Sequence, residues 1–195
     1  MILPLFTNYK ALPDEPLMER VRLTADERAY NELYRRYARL LQGFFFRRIR
    51  GDNEQAADLM QDAFMRVWSS RDKYSAEQPF RVWLLTIAYN LCKNVYRKNE
   101  HEQAYIESLP KDEPATEDNT PLHLDSAAFD RALSQELSRL SEAQQILFEL
   151  RFTQELSVPE IATIMDIPEG TVKSRLHTLT QYLRLKLRDY ETLIT

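Results

Sequence analysis

Cysteine and glycine are scarce in this chain of 195 residues, and each scarcity excludes a class of structure. The single cysteine, Cys92, rules out a disulfide within the chain and any all-cysteine zinc cluster, and the three histidines lack metal-ligand spacing. Three glycines are too few for a Gly-rich phosphate loop or a turn-rich β-barrel. We therefore predict a mostly helical protein that needs no metal or other cofactor.

Long apolar runs are also missing. No run approaches the roughly 18 residues that a helix needs to cross a bilayer. The N-terminal sequence MILPLFTNYK has no basic start followed by a long apolar segment, so it does not resemble a signal peptide. These absences, with a cysteine content that suits a reducing compartment, predict a cytoplasmic protein without direct membrane insertion.

Charge is distributed unevenly along the chain. The net charge of −4 is opposite to the basic balance of a protein that binds DNA by itself. Residues 35–50 nevertheless contain six arginines and no acid, and residues 171–188 contain five cations and no acid. Residues 100–125 hold eight acids against one lysine. The pattern predicts two local basic faces separated by an acidic segment.

The acidic segment also divides the chain. Its stretch SLPKDEPATEDNTPLHLD combines three prolines with acids and small polar residues, without helical or strand periodicity. We predict an all-α fold of two small helical domains joined by a flexible acidic linker over residues 100–128. The remaining predicted boundaries are an N-terminal extension at 1–23, a first domain at 24–99 and a second domain at 129–190.

Three helices are predicted in the first domain. The first begins with Thr24 as its N-cap, and the second, NEQAADLMQDAFMRVWSS, begins with a capping pair of Asp52 and Gln55. The second helix has an acidic outer face, which solvation alone would explain. The third, FRVWLLTIAYNLCKNVYRK, places aromatic residues beside cations. Such a surface can hold unstacked bases, although core packing explains the aromatic residues equally well.

The second domain contains two helix starts and a helix-turn-helix pattern. SEAQ at 141–144 and SVPE at 157–160 both fit the capping box, and Pro168 suits the first turn of a further helix. The surface of that last helix opposite its predicted buried stripe carries hydrogen-bonding and basic residues. A second helix of this kind fits the DNA major groove. Its predicted buried stripe consists of Val172, Leu176, Leu179, Leu183 and Leu187.

The two halves together resemble one family. The run LSVPEIATIMDIPEGTVKSRLHTLTQYLRLKL resembles the domain that reads the minus-thirty-five element in sigma-70 family RNA polymerase sigma factors of the extracytoplasmic-function (ECF) group. DLMQDAFMRVW resembles the helix that docks on the polymerase clamp, and FRVWLLTIAYNLCKNVYRK resembles the segment that recognises and opens the minus-ten element. Both motif sets stand in the family's order.

The resemblance implies roles for particular residues. A polymerase-binding surface would comprise Asp58, Gln61, Asp62, Phe64 and Trp68. The minus-ten element would be held by the loop at 71–79 and by Trp83, Asn90, Lys93, Asn94, Arg97 and Lys98. The minus-thirty-five element would be contacted by Lys173, Ser174, Arg175, His177, Thr178 and Gln181. Asn94 and Thr178 differ from the family's commoner residues, so the promoter sequence preference does not carry over.

The implied function is promoter-specific transcription initiation without catalytic residues of its own. The implied partners are the clamp and flap of core RNA polymerase, promoter DNA as duplex and as melted non-template strand, and an anti-sigma factor, often membrane-anchored. Two alternatives stay open. A stand-alone helix-turn-helix transcriptional regulator would use the second half alone, and a helical interaction protein without a nucleic-acid role would keep its basic faces solvated.

Overall fold

The computed structural model describes residues 8–49, 52–106 and 126–188, with the backbone alone for 96–106 and 126–127. The chain divides into two compact units, residues 1–102 and 103–195. The described residues are helical and contain no strand, which confirms the predicted all-α fold of two helical units. Most of the predicted linker, residues 107–125, lies outside the described residues.

The described residues form eight α-helices, each too short or too polar to span a lipid bilayer. Short 3-10 turns at Tyr9–Ala11 and Arg71–Lys73 and a π-helical turn at Glu149–Thr153 accompany them. The first unit contains α1 (Asp14–Thr24), α2 (Glu27–Phe46), α3 (Asn53–Ser69) and α4 (Phe80–Ile106), whose last four residues extend past the unit boundary at 102. The second contains α5 (Ser126–Ser138), α6 (Glu142–Phe148), α7 (Val158–Met165) and α8 (Glu169–Lys186).

The sequence predicts an extension over residues 1–23, whereas the structure has helix α1 at Asp14–Thr24. Leu17, Met18 and Val21 recur on one face of this helix and are fully buried. The predicted N-cap of α2 is wrong as well. Thr24 is the last residue of α1 and donates its hydroxyl to the carbonyl of Arg20 at 2.9 Å. The carboxylate of Asp26 caps α2 instead, accepting from two backbone N–H groups in its first turn.

A partly buried ion-pair network joins α1 to α2. Arg36 lies 2.6 Å from the carboxylate of Asp14 and 2.9 Å from that of Glu32. Arg35 also donates to Glu32, which is only 6% exposed. The hydrogen bond from Arg35, reinforced by Arg36, lowers the pKa of Glu32 to about 2 although burial acts in the opposite direction. Arg36 is therefore partly withdrawn from the predicted basic face, whereas the Arg35 side chain remains 63% exposed.

Helix α1 also fixes the start of α4. Glu15 accepts a hydrogen bond from the backbone N–H of Phe80, at 3.1 Å, and so satisfies a donor in the first turn of α4. The Phe80 ring packs edge-on against Tyr37 of α2, with centroids 5.3 Å apart. The Tyr37 hydroxyl in turn donates to Asp14. The orientation of α4 thus depends on contacts with both α1 and α2.

The starts of α3, α6 and α7 follow the sequence prediction. Asp52 caps α3 and accepts from the backbone N–H of Gln55 at 3.0 Å. Both predicted capping boxes are confirmed: Gln144 accepts from the N–H of Ser141 at 3.0 Å, and Glu160 from that of Ser157 at 2.8 Å. Each cap satisfies backbone groups that a helix start leaves without partners.

We predict that Glu32→Gln lowers the free energy of unfolding by about 1 to 3 kcal/mol at neutral pH, because it weakens hydrogen bonds between charged groups. The pKa of Glu32 is about 2 in the folded chain and 4.5 ordinarily. Its stabilising contribution is therefore present above 4.5 and is lost as the pH falls towards 2. Urea unfolding of wild type and variant across this range measures the difference.

The difference between the two proteins should shrink as the pH falls below 4.5. Glu77→Gln, which neutralises an exposed carboxylate in the same unit, serves as the control and should change stability little. A constant difference between wild type and Glu32→Gln across the range would contradict the assignment.

Candidate polymerase and nucleic-acid interfaces

A tight turn positions α8 behind α7. Asp166 ends α7 in the left-handed region, at φ 54°, and its N–H bonds to the carbonyl of Ala162. Pro168 is the N-cap of α8 and does not belong to its first turn as predicted. The first helical residue is Glu169. The Pro168 carbonyl accepts from Thr171 at 2.9 Å and from Val172 at 3.1 Å. The local sequence thus builds a helix, a short turn and a longer helix, as predicted.

Helix α8 has a buried apolar face and an exposed face of polar and charged residues. Val172, Leu179 and Leu183 are buried against the second unit. On α5, Glu136 is 8% exposed and accepts from the Tyr182 hydroxyl at 2.8 Å, which fixes α8 to α5 and raises the pKa of Tyr182. Sequence reasoning missed this positioning pair. The six side chains predicted to contact the minus-thirty-five element are all exposed: Lys173, Ser174, Arg175, His177, Thr178 and Gln181.

Two local contacts modify the chemistry of this face. The ammonium of Lys173 lies 3.7 Å from the carboxylate of Glu169, one helical turn earlier. The Thr178 hydroxyl donates to the carbonyl of Ser174 at 3.1 Å. Thr178 therefore presents oxygen lone pairs and a methyl group to a partner, since its hydroxyl proton is engaged within the helix.

The outer face of α3 carries the predicted polymerase-binding acids. Asp58, Gln61 and Asp62 are exposed and lie on one side of the helix because they are spaced by three and four residues. Met65 continues the same row and is 66% exposed. Sequence reasoning missed Met65, although its spacing from Gln61 and Asp62 placed it on this face. We call these four residues the α3 face.

Two of the predicted polymerase-binding residues, Phe64 and Trp68, are not exposed on the α3 face. Phe64 is 1% exposed, with Tyr30 and Tyr34 packed around its ring, so it belongs to the core and not to the binding surface. Trp68 is half-buried, with the Tyr30 ring 5.1 Å away and the Arg71 guanidinium 5.1 Å from its own ring. The Trp68 ring thus borders the α3 face and supports it from the core side.

The described part of helix α4 presents a polar face that includes a lysine. Asn90, Lys93 and Asn94 are exposed, and the Lys93 ammonium lies 5.5 Å from the centroid of the Tyr89 ring. Trp83 is half-buried instead. The rings of Tyr74 and Phe80 lie 5.2 and 6.2 Å from it. Arg97 and Lys98 belong to α4, but their side chains lie outside the described part of the chain.

The loop at 71–79 is held by its buried tyrosine. Tyr74 is 3% exposed and donates its hydroxyl to the carbonyl of Gln78 at 3.0 Å. Burial raises the pKa of the Tyr74 hydroxyl, so this hydrogen bond to Gln78 keeps its donor proton well above neutral pH. The loop therefore approaches α4 in a fixed arrangement next to Trp83.

Comparison with known proteins identifies the family. The sigma-70 region 2 model matches residues 33–102, and the sigma-70 region 4 model matches residues 130–178. The ECF RNA polymerase sigma factor SigL of Mycobacterium tuberculosis is 32% identical over 159 residues, which cover 80% of this chain and 88% of the relative. The chain belongs to the ECF sigma-factor family.

Two further relatives agree with this assignment. The ECF sigma factor SigW of Bacillus subtilis is 32% identical over 151 residues, covering 73% of this chain and 80% of that protein. The ECF sigma-E factor of Haemophilus influenzae is 29% identical over 185 residues, covering 91% and 96%. The match extends through both units, so a stand-alone helix-turn-helix regulator is not favoured. Sigma factors are transcription initiation factors and not enzymes.

Solved structures share the fold of this sigma factor. CnrH, solved in complex with the cytosolic domain of CnrY, is 20% identical with a TM-score of 0.63 and covers 90% of this chain and 97% of its own. RpoE of Bartonella quintana, solved in complex with the anti-sigma factor NepR, is 24% identical with a TM-score of 0.62, covering 82% and 96%. At these identities the likeness establishes the fold alone.

Gly170 marks an open place on the sigma factor's α8. It lies in the first turn and is exposed, and a Cβ added there would meet no atom within 4 Å. Packing within the chain therefore does not require glycine, which is a poor residue for a helix. Close approach of a partner to this turn would explain the missing side chain.

We predict that Gly170→Ala weakens promoter binding without lowering stability. The free energy of unfolding should stay constant or rise by up to about 1 kcal/mol, because alanine favours the helix. Promoter binding by the holoenzyme should weaken by on the order of 10-fold, because the added methyl group would obstruct a closely approaching partner. Urea unfolding and fluorescence anisotropy with promoter duplex measure the two effects.

The matched control is Thr180→Ala, which also improves helix propensity at an exposed position of α8 outside the predicted contact set. This control should leave promoter binding unchanged. Equal promoter affinity of Gly170→Ala and wild type would refute close approach at the first turn.

Proposed function

We propose that this sigma factor binds core RNA polymerase through the α3 face and positions it on promoter DNA through α4 and α8. One observation carries the proposal: three helices use their apolar stripes for the cores of the two units and leave outer faces of different chemistry. The α3 face carries the acids Asp58 and Asp62, whereas the outer face of α8 carries Lys173 and Arg175. Each surface suits a partner of opposite charge.

The α3 face fits a basic protein surface. Its two carboxylates attract cations over several ångströms, and Gln61 supplies a donor and an acceptor for close contacts. Met65 adds an adaptable apolar side chain that can be desolvated inside a polar rim, the usual anatomy of a protein interface. We assign this face to the clamp of the polymerase.

The outer face of α8 fits the major groove at the minus-thirty-five element. Lys173 and Arg175 supply cations for guanine edges or phosphates, and Ser174 and Gln181 supply neutral hydrogen-bonding groups. Thr178 would read DNA as an acceptor or through its methyl group, because its proton is bonded to Ser174. This behaviour differs from the basic side chain common at the equivalent place in the family.

The polar face of α4 fits the melted strand at the minus-ten element. Asn90 and Asn94 each offer both donors and acceptors to an unstacked base, while Lys93 supplies charge for the phosphate backbone. Flipping a base costs a few kcal/mol, which such contacts offset. Trp83 would support the polar face of α4 from the core side, because Tyr74 and Phe80 already pack against its ring.

We further infer control by an anti-sigma factor. CnrH and RpoE, which share this fold, were both solved with a protein partner, the cytosolic domain of CnrY and the anti-sigma factor NepR. A partner that covered the α3 face would block access to the polymerase. The sigma factor would then act in the cytoplasm and reach a membrane only through such a partner.

We predict that Asp58→Asn combined with Asp62→Asn weakens binding to purified core polymerase by on the order of 10-fold at low salt, because two attractive charges are lost. The deficit should narrow as salt rises, since screening weakens the same attraction in wild type. Titration of labelled sigma factor with core enzyme measures both effects. Glu27→Gln with Glu77→Gln removes two exposed acids elsewhere in the unit and should bind normally. Equal weakening by both pairs would refute the α3 assignment.

We predict that Lys173→Ala with Arg175→Ala leaves polymerase binding intact but weakens promoter binding by the holoenzyme, reducing the salt slope by roughly two. Run-off transcription and anisotropy on the same promoter measure the loss. The control pair, Arg184→Ala with Lys186→Ala, removes two exposed charges about 16 Å further along α8. Indistinguishable losses from the two pairs would mean that α8 binds DNA through net charge and not through its first turns.

A further inference from the structure

Glu169 is the first residue of α8 and precedes the residues predicted to contact the minus-thirty-five element, which we call the DNA-reading row. It is the one acid among the 18 residues of this helix. Lys173, His177 and Gln181 follow it at intervals of four, so the four side chains lie along one strip of the helix surface. In helix-turn-helix proteins the N-terminal residues of the second helix contact base edges, which places a carboxylate where cations and amides are expected.

The contact between Glu169 and Lys173 is loose. The carboxylate and ammonium are 3.7 Å apart, and the two side chains are 51% and 65% exposed. Exposed pairs of this kind contribute little to stability, so Lys173 can leave Glu169 at small cost. In the free protein, however, the pair neutralises a cation of the DNA-reading row.

The neighbouring backbone is open to a close partner. Gly170 follows Glu169, and a Cβ on Gly170 would meet nothing within 4 Å. A duplex seated against this turn would bring its phosphates and base edges close to the Glu169 carboxylate. An ionised carboxylate only accepts hydrogen bonds, so phosphates and the acceptor edge of guanine would repel it. The exocyclic amino group of cytosine is a donor that a glutamate can meet in the major groove.

We propose that Glu169 is a specificity-determining residue of the promoter-reading surface, a role that rests on the function proposed above. On non-promoter DNA its carboxylate repels phosphates and keeps Lys173 paired. At the promoter it accepts a hydrogen bond from a cytosine amino group and releases Lys173 to the DNA. The residue thereby lowers affinity for unspecific DNA more than affinity for the promoter.

Glu169→Gln in the full-length chain, assembled with core polymerase, tests the proposal. Glutamine keeps the size of the side chain, removes the charge and adds a donor that tolerates acceptor-bearing bases. The affinity for a non-promoter duplex should rise by about 5-fold and its salt slope should steepen by roughly one, because Lys173 is freed to meet a phosphate. The ratio of promoter to non-promoter affinity should fall accordingly.

Base-pair substitution in the promoter gives the second readout. Each base pair of the minus-thirty-five element is substituted in turn. Loss of the cytosine that Glu169 contacts should weaken wild-type binding by about 10-fold and binding of the variant much less. One position of the element should show this dependence. Uniform responses of wild type and variant at every position would refute the cytosine contact.

Asp130→Asn is the matched control, since it removes one exposed charge from α5 of the same unit. Thermal unfolding of both variants checks that α8 is intact. A merely structural Glu169 would give unchanged or weaker binding to every DNA, and a general charge effect would raise promoter and non-promoter affinity equally in both variants. Either result would overturn the proposal. A wild-type holoenzyme that did not prefer its promoter would instead count against the proposed function.

Discussion

Burial of one apolar stripe on each of α3, α4 and α8 sets the direction in which their remaining side chains point. Each unit is small, so each helix must give a full face to the core. On α3 the buried Ala63 and Val67 turn Asp58 and Asp62 outward, and on α8 the buried Val172 and Leu179 turn Lys173 and Arg175 outward. Hydrogen-bonded supports then fix these helices, through Glu15 at the start of α4 and through Glu136 beside α8.

The distribution of charge explains how a chain with a net charge of −4 can serve a DNA-directed function. Part of the basic character is consumed inside the first unit, where Arg36 bridges Asp14 and Glu32. On α8, Glu169 partly neutralises Lys173. In the proposed function, this modest positive charge makes promoter binding depend on polymerase, which would supply further contacts and hold both units to one promoter. The acidic α3 face and the basic α8 face would then serve different partners.

Local signals predicted more of this molecule than long-range ones. Capping involves residues three positions apart, so the caps at Asp52, Ser141 and Ser157 were readable from the sequence. Helix α1 was missed because its apolar stripe is short and its place in the fold depends on contacts with α2 and α4. The burial of Phe64 and the support of Trp83 by Tyr74 likewise depend on neighbouring elements that spacing within one helix does not reveal. Met65 was overlooked because its apolar type outweighed its position on the α3 face.

In the proposed function, both units act together to direct RNA polymerase to promoters. Run-off transcription on fragments of genomic DNA, with purified core enzyme and with or without this sigma factor, tests this joint action. We expect transcripts that appear only with the sigma factor and begin at discrete sites, each preceded by two shared elements at a constant spacing. Specific binding of those sites by the chain without polymerase, together with no sigma-dependent transcript, would contradict the account.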